Sequence, residues 1–190
     1  VFRLLASWGL DFVKVDDLSQ PYARPEIEGI RKAIDGCGRK IVLSMSPGNT
    51  PLPSAIHAAE HSNMWRVSGD LWDEWPALLS TLDLLREWAP LSGPGHYPDA
   101  DMLPIGAIRN GGWTRLTHDE QVTLLTLWSI ARSPLVMGGD LTRNDAFTLS
   151  LLTNPEVLAV NQHSRNGREL YRDGARIAWT ADVPGSRDRY

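Results

Sequence analysis

The alternation that decides the fold starts at residues 11–17, Asp11-Phe12-Val13-Lys14-Val15-Asp16-Asp17, which predict a short strand ending in two acidic residues. A helix-like segment at residues 2–8 precedes this stretch, and residues 25–34 follow with isoleucines at helical spacing and a proline in the first turn. β-branched and aromatic residues favour the strand, whereas the isoleucine spacing and the early proline favour a helix. The stretch therefore predicts one βα unit.

The same alternation continues along the chain. The further predicted elements are strand 40–46, helix 53–60, strand 64–67, helix 73–88, strand 101–105, a helix opened by the capping box of residues 117–120, strand 135–137 and helix 144–152, which Asn154-Pro155 ends. Strands that alternate with helices pair in parallel through right-handed crossovers. The chain is therefore predicted to be an α/β protein.

Two α/β architectures fit this order, and one feature separates them. A doubly wound sheet usually has a glycine-rich phosphate loop after a strand, and no such loop is found here. In a (β/α)8 barrel the chemistry lies at the carboxyl ends of the strands, and polar residues gather at the predicted strand ends. We therefore expect a (β/α)8 barrel arrangement, of which about five βα units are recognised in this sequence.

The pattern changes near residue 162. Residues 168–171 and 176–180 form short β-like runs around a turn at Asp173-Gly174. The expected organisation is a barrel portion at residues 1–162 and a separate β-rich segment at residues 163–190. Because the chain opens with Val1 inside a helical pattern, we expect it to be a fragment of a longer protein.

Composition narrows the class of partner. The 190 residues carry a net charge of −4 without a basic run, which argues against nucleic acid or an anionic membrane as partner. Neither a membrane-spanning stretch nor a signal peptide is expected within this sequence. The five histidines are predicted to form no metal site, and no cofactor is expected. A small neutral molecule is the expected partner.

Four ordered segments carry a resemblance to a known family. They are residues 13–17, residues 65–70, residues 98–106 and residues 127–137. In order and spacing they resemble glycoside hydrolase family 27, the α-galactosidase and α-N-acetylgalactosaminidase family. The resemblance implies that residues 1–162 are the carboxyl-terminal part of a partial (β/α)8 TIM barrel and that residues 163–190 begin a truncated, antiparallel β-sandwich domain. It also implies hydrolysis of α-glycosides with retention of configuration. The sequence does not give the compartment, and the resemblance is compatible with a secreted or periplasmic parent protein.

The resemblance also implies roles for particular residues. Asp16 falls where the family has its nucleophile, and Asp70 falls where it has its acid/base. The residues expected to contact the sugar are Lys14, Arg66, Asp101, Met102, Ser46 and Asp17. Lys14 lies two residues before Asp16 and should share its strand face. Asp70 is expected to be the less solvated carboxyl, because the acid must keep its proton.

Simpler structural roles compete with these assignments. A strand-terminal aspartate is often a cap or turn residue. This role competes most strongly at Asp17, because adjacent strand residues point to opposite faces. Arg66 fits either a sugar hydroxyl pair or a structural clamp on a neighbouring carboxylate. Among the eight tryptophans, three on helical stripes are predicted core residues, whereas Trp65 and Trp113 are candidates for the rim of the site.

The donor sugar is decided in the family by the loop after strand 40–46. Here residues 46–51 read Ser46-Pro47-Gly48-Asn49-Thr50-Pro51, unlike either common version. We predict an α-galactosidase, with α-N-acetylgalactosaminidase, β-L-arabinopyranosidase and isomaltodextranase-like activities as alternatives. A non-catalytic sugar-binding barrel and a metal-dependent enzyme using the Asp16-Asp17 pair are the other candidates. The fragment alone is expected to be inactive.

Overall fold

The computed structural model describes residues 1–108 and 111–190, and it divides them into two compact units. The first unit holds residues 1–70 and 93–99, and the second holds residues 71–92 and 100–190. Residues 163–190 therefore lie in the same unit as residues 100–162.

The first unit is built on a parallel sheet. Its elements are α1 (Phe2–Ser7), β1 (Phe12–Val15), α2 (Arg24–Asp35), β2 (Val42–Met45), a 3₁₀ turn (Leu52–Ser54), α3 (Ala55–His61), β3 (Met64–Arg66) and β4 (Tyr97–Asp99). The four strands lie in the order β1-β2-β3-β4 and pair in parallel throughout. The sheet follows chain order, whereas a doubly wound sheet reverses direction at a switch point.

Local sequence explains these elements. Pro25 stands in the first turn of α2, Glu26 follows it, and Lys32 lies in the last turn, which suits the helix dipole. Ile27 and Ile34 are 0% and 1% exposed, so the predicted stripe is the buried face of α2. Trp65, expected at the rim, is 0% exposed because it lies within β3 in the interior of the unit.

The second unit is mainly helical, with two pairs of antiparallel strands. Its elements are α4 (Trp75–Trp88), a 3₁₀ turn (Ala89–Leu91), β5 (Ala107–Ile108), β6 (Gly112–Trp113), α5 (His118–Ala131), a 3₁₀ turn (Leu141–Arg143), α6 (Ala146–Leu152), α7 (Pro155–His163), β7 (Arg165–Asp173) and β8 (Arg176–Asp182). β5 pairs with β6, and β7 pairs with β8 around the predicted turn. Trp88 and Trp128 are core residues, as predicted, at 2% and 0% exposure.

The structure corrects two predicted strands. No strand covers residues 101–105 or residues 135–137. A single parallel bridge joins Leu103 to Met137. The strand next to residues 101–105 in the chain is β4, which ends at Asp99. Asp101 has φ 87°, outside the β region, and this interrupts an extended run at that point.

A helix was also missed. Asn154 opens α7, because its side-chain oxygen accepts hydrogen bonds from the backbone N–H groups of Glu156 and Val157. Pro155 is the first helical residue, where its missing N–H costs nothing. Asn154-Pro155 therefore starts a helix in addition to ending α6. Within the described residues, no helix has the length and apolarity needed to cross a bilayer.

Candidate active site

The carboxyl ends of β1, β2 and β3 lie at one edge of the parallel sheet. Val15 pairs with Met45, and Met45 pairs with Trp65, so the segments that follow these residues leave the sheet together. Asp16 and Ser46 come directly after β1 and β2, and the turn that ends at Asp70 comes after β3. The first unit therefore carries both proposed catalytic carboxyl groups on strand-end segments at this edge.

Asp16 has a cationic neighbour, Lys14, on the strand that ends just before it. The Nζ atom of Lys14 lies 3.8 Å from Oδ1 of Asp16, as expected for residues that share a strand face. Both side chains are open to solvent, at 54% exposure for Lys14 and 66% for Asp16. The carboxylate is accessible to a ligand and has a positive charge beside it.

Asp70 is held by a buried arginine. Nη2 of Arg66 donates to the carbonyl oxygens of Ser68 and Gly69, at 3.3 Å and 2.6 Å, and to Oδ1 of Asp70 at 3.3 Å. The residue Arg66 is only 3% exposed. The guanidinium thus holds the turn between β3 and Asp70 in place. This is the role expected if Arg66 is a structural clamp.

The two aspartates do not differ in solvation as expected. The side chain of Asp70 is 68% exposed and that of Asp16 is 66% exposed. The expectation that Asp70 is the less solvated carboxyl is therefore wrong for this structure. Arg66 contacts Asp70 from the buried side and leaves the carboxylate open to solvent.

The neighbouring polar residues differ in accessibility. Asp17 is exposed and has φ 62°, a left-handed conformation that aspartate tolerates in turns. Ser46 is 1% exposed, and its backbone bonds to Val15 and Leu18. This burial argues against a sugar contact through the Ser46 hydroxyl.

The loop of residues 46–51 lies against the turn that carries Asp70. A β-carbon on Gly48 would stand 1.9 Å from the carbonyl oxygen of Ser68, so only glycine fits there. The N–H of Thr50 donates to the carbonyl oxygen of Arg66 at 3.0 Å. The segment expected to select the donor sugar is thus attached to the segment that carries the proposed acid/base.

The second unit holds Asp101 and Met102. Oδ2 of Asp101 accepts a 2.7 Å hydrogen bond from the N–H of Leu71, the residue after Asp70 in the chain. Its carbonyl oxygen accepts from Nε1 of Trp128 at 2.9 Å. Met102 lies against Gly138, where a β-carbon would come within 2.6 Å of its sulfur. Asp101 therefore anchors backbone within its unit.

One group of side chains was not recognised from the sequence. Glu28, His57 and His61 each place a possible metal-ligand atom within 4.8 Å of the other two. The expectation that the histidines form no metal site stays a prediction, but it overlooked that residues four apart on a helix share a face. That spacing of His57 and His61 was the signal available in the sequence.

Comparison with known proteins gives the relationship of the chain. The family described as Alpha galactosidase A matches residues 2–163. Alpha-galactosidase 2 of Arabidopsis thaliana is 32% identical over 189 residues, covering 97% of this chain and 46% of that protein. Alpha-N-acetylgalactosaminidase of Rattus norvegicus is 32% identical over 185 residues, covering 90% of this chain and 43% of that protein.

A solved structure is similar over nearly the whole chain. It is a GH27 β-L-arabinopyranosidase from Geobacillus stearothermophilus, with a TM-score of 0.92 and 50% identity over 96% of this chain and 45% of that one. The chain thus spans less than half the length of these relatives. On the match over residues 2–163, the chain belongs to the alpha galactosidase A family, glycoside hydrolase family 27.

Proposed function

We propose that the full-length protein containing this chain is a retaining glycoside hydrolase that removes a terminal galactose-type sugar by double displacement. The proposal rests on one observation at the carboxyl ends of the parallel strands. Lys14 lies beside Asp16 there, and Arg66 lies beside Asp70. Family membership supports a glycoside as the partner. The proposed chemistry needs no cofactor.

In the first step Asp16 is the nucleophile. An oxygen of its carboxylate attacks the anomeric carbon while the bond from that carbon to the leaving oxygen breaks, giving a glycosyl ester. An attacking carboxylate must be charged, and the ammonium group of Lys14, 3.8 Å away, supplies the opposite charge. The exposure of Asp16 leaves its oxygens free to reach the sugar.

Asp70 supplies and then removes a proton. Its carboxylic acid protonates the leaving oxygen in the first step, and the resulting carboxylate takes a proton from water in the second. That water attacks the anomeric carbon, the ester bond to Asp16 breaks, and the sugar leaves with its original configuration. Arg66 fixes the turn around Asp70, so the proton donor is positioned before the substrate arrives.

The remaining contacts are proposed for sugar recognition. Lys14, Asp17, Asp101 and Met102 are the candidates that are not fully buried. Arg66 combines positioning of Asp70 with a proposed sugar contact through its guanidinium fork. Ser46 contributes through its backbone, which joins the loops after β1 and β2.

An α-galactoside and a β-L-arabinopyranoside are the two main candidate donor sugars, and the level of sequence identity separates them. The α-galactoside is supported by curated relatives such as alpha-galactosidase 2 of Arabidopsis thaliana, which is 32% identical. A β-L-arabinopyranoside is favoured by the 50% identity to the Geobacillus stearothermophilus enzyme. β-L-Arabinopyranose is α-galactopyranose without the hydroxymethyl group on the ring, so the same machinery suits both. The small residues in the 46–51 loop also keep the N-acetyl sugar as a candidate.

The architecture is proposed with the function. Residues 1–162 would be the carboxyl-terminal part of a (β/α)8 barrel, supported by four parallel strands lying in chain order. Residues 163–190 would begin an antiparallel β-sandwich domain, supported by the β7–β8 hairpin. A barrel built this way brings the segments after its strands to one face.

The test uses the full-length protein with Asp16→Ala, Asp70→Ala and, as a surface control, Asp35→Asn. Asp16→Ala should lose at least about 10³-fold in kcat on every substrate. Asp70→Ala should lose most on a glycoside with a poor leaving group and much less on a dinitrophenyl glycoside, which needs no acid. Unchanged turnover of Asp16→Ala would refute the proposal.

Substrate choice and stereochemistry complete the test. The panel consists of aryl α-galactoside, β-L-arabinopyranoside, α-N-acetylgalactosaminide and isomaltosyl compounds, compared by kcat/KM. NMR of the first sugar released should show the anomer of the substrate. Sugar binding without turnover would instead support a non-catalytic barrel. Loss of turnover on brief chelation would support a metal-dependent reaction at Asp16 and Asp17.

A further inference from the structure

A cluster of three side chains joins two helices of the first unit. Glu28 lies on α2, and His57 and His61 lie four residues apart on one face of α3. The imidazole rings stack with centroids 4.1 Å apart and planes inclined by 21°. Nε2 of His57 lies 3.1 Å from Oε1 of Glu28. The cluster presents two imidazoles and one carboxylate to a common point.

The hydrogen bonds around the cluster orient the rings. Nδ1 of His61 lies 2.9 Å from the carbonyl oxygen of His57, which can only accept, so this nitrogen carries the hydrogen. Nε2 of His61 is then the nitrogen with the free electron pair. Nδ1 of His57 lies 2.7 Å from the hydroxyl of Tyr22, which accepts its hydrogen when Nε2 binds a cation. Such partners typically fix metal-binding histidines.

We propose that Glu28, His57 and His61 bind one divalent transition-metal ion, and that the ion is zinc. Two imidazole nitrogens and one carboxylate oxygen are a common zinc donor set, with a water molecule as the fourth ligand. Glu28, at 50% side-chain exposure, leaves solvent access for that water. This inference is independent of the proposed glycosidase function.

The geometry is near that of a metal site before any ligand moves. Ligand atoms about 2.0–2.1 Å from a tetrahedral zinc lie about 3.3 Å from one another. The three donors here lie within 4.8 Å of one another. His57 is buried and fixed, whereas Glu28 and His61 are partly exposed, so rotation of these two side chains closes the remaining gap.

Hydrogen bonds already connect the cluster to two segments of the first unit. A bound ion would crosslink α2 to α3 and, through Tyr22, the segment that leads from β1 into α2.

The test uses untagged full-length protein stripped with chelator and titrated with zinc. We expect one zinc per chain by calorimetry and elemental analysis, and a rise in Tm of about 3 °C or more at 100 times Kd. His61→Ala and Glu28→Gln should abolish both effects. His163→Ala, an exposed histidine at the end of α7, should leave both unchanged.

A conservative variant tests the hydrogen bond behind the ligands. Tyr22→Phe keeps the ring but removes the hydroxyl that orients His57, and it should weaken zinc binding by about 10–100-fold. Failure of the stripped protein to bind one zinc per chain would overturn the proposal. Undiminished binding in His61→Ala and Glu28→Gln would overturn it as well, because the zinc would then lie elsewhere.

Discussion

The guanidinium of Arg66 contacts the carboxylate of Asp70 from the buried side, with Nη2 3.3 Å from Oδ1. The same nitrogen bonds to two carbonyl oxygens of the intervening turn. Arg66 is 3% exposed, while the Asp70 side chain is 68% exposed. The buried guanidinium of Arg66 thus orients the accessible carboxyl group of Asp70.

Arg66→Lys should reduce kcat on the preferred aryl glycoside by about 10²-fold, because an ammonium group lacks the planar fork and a small displacement of the acid is costly. The loss should be smaller on a dinitrophenyl glycoside. The matched control is Arg31→Lys on α2, which alters an exposed ion pair with Asp35 and should not change turnover. Equal kinetics for Arg66→Lys and the control would contradict the proposal that Arg66 positions Asp70.

Gly48→Ala should destabilise the protein and slow turnover. The added β-carbon meets the Ser68 carbonyl oxygen at 1.9 Å, so the loop or the turn before Asp70 has to move. A loss of about 1–3 kcal/mol is expected, measured by urea unfolding. Gly29→Ala is the control, because nothing lies within 4 Å of its β-carbon on α2 and the change should stabilise slightly. Similar stability of the two variants would argue against the close approach.

Asp101→Ala should cost about 1–3 kcal/mol, because the N–H of buried Leu71 loses its acceptor. Asp101→Asn keeps an oxygen acceptor and tolerates the φ of 87° at this position. Stability should therefore be restored in Asp101→Asn, as read from Tm. If turnover stays low in that variant, the carboxylate charge itself contributes to sugar binding. Equal Tm values for the two variants would show that the hydrogen bond is unimportant.

Thr117→Ala should lower stability by about 1 kcal/mol without changing turnover. The predicted capping box is present: the Thr117 hydroxyl accepts from the N–H of Glu120, and the Glu120 carboxylate accepts from the N–H of Thr117. Thr123→Ala on the same helix is the comparison, since its hydroxyl bonds only to a carbonyl one turn earlier. A larger loss for Thr123→Ala would contradict the assigned role of the cap.

Protonation of Asp73 should lower the stability of the folded protein in acid. Burial alone would raise the pKa of Asp73, but hydrogen bonds from the side chain and backbone of Arg115 hold that pKa below its usual value. A lowered pKa in the folded state stabilises the protein above the unfolded pKa of about 3.9, and this contribution disappears as pH falls through the folded value. Asp73→Asn should therefore show a flatter dependence of Tm on pH below about pH 4. Parallel profiles for wild type and variant would be inconsistent with this linkage.

Much of the local structure could be predicted from the sequence. The isoleucine stripe of α2, the capping box of α5 and the turn of the β7–β8 hairpin depend on residues close together in the chain. The strand predicted at residues 101–105 failed because Asp101 has φ 87°, and its carboxylate accepts a hydrogen bond from Leu71, thirty residues away. Segments that pack against distant residues can override local preference.

The sequence alone determined the alternation of strands and helices, the strand-end positions of Asp16 and Asp70, and the ordered segments that indicate the family. Only the tertiary structure decided that Arg66 and Ser46 are buried, that Gly48 lies against Ser68, and that Glu28 meets His57 across 29 residues of sequence. Periodicity and capping act within one or two turns of chain. Burial and contacts between distant side chains are set when whole elements pack, which no local pattern specifies.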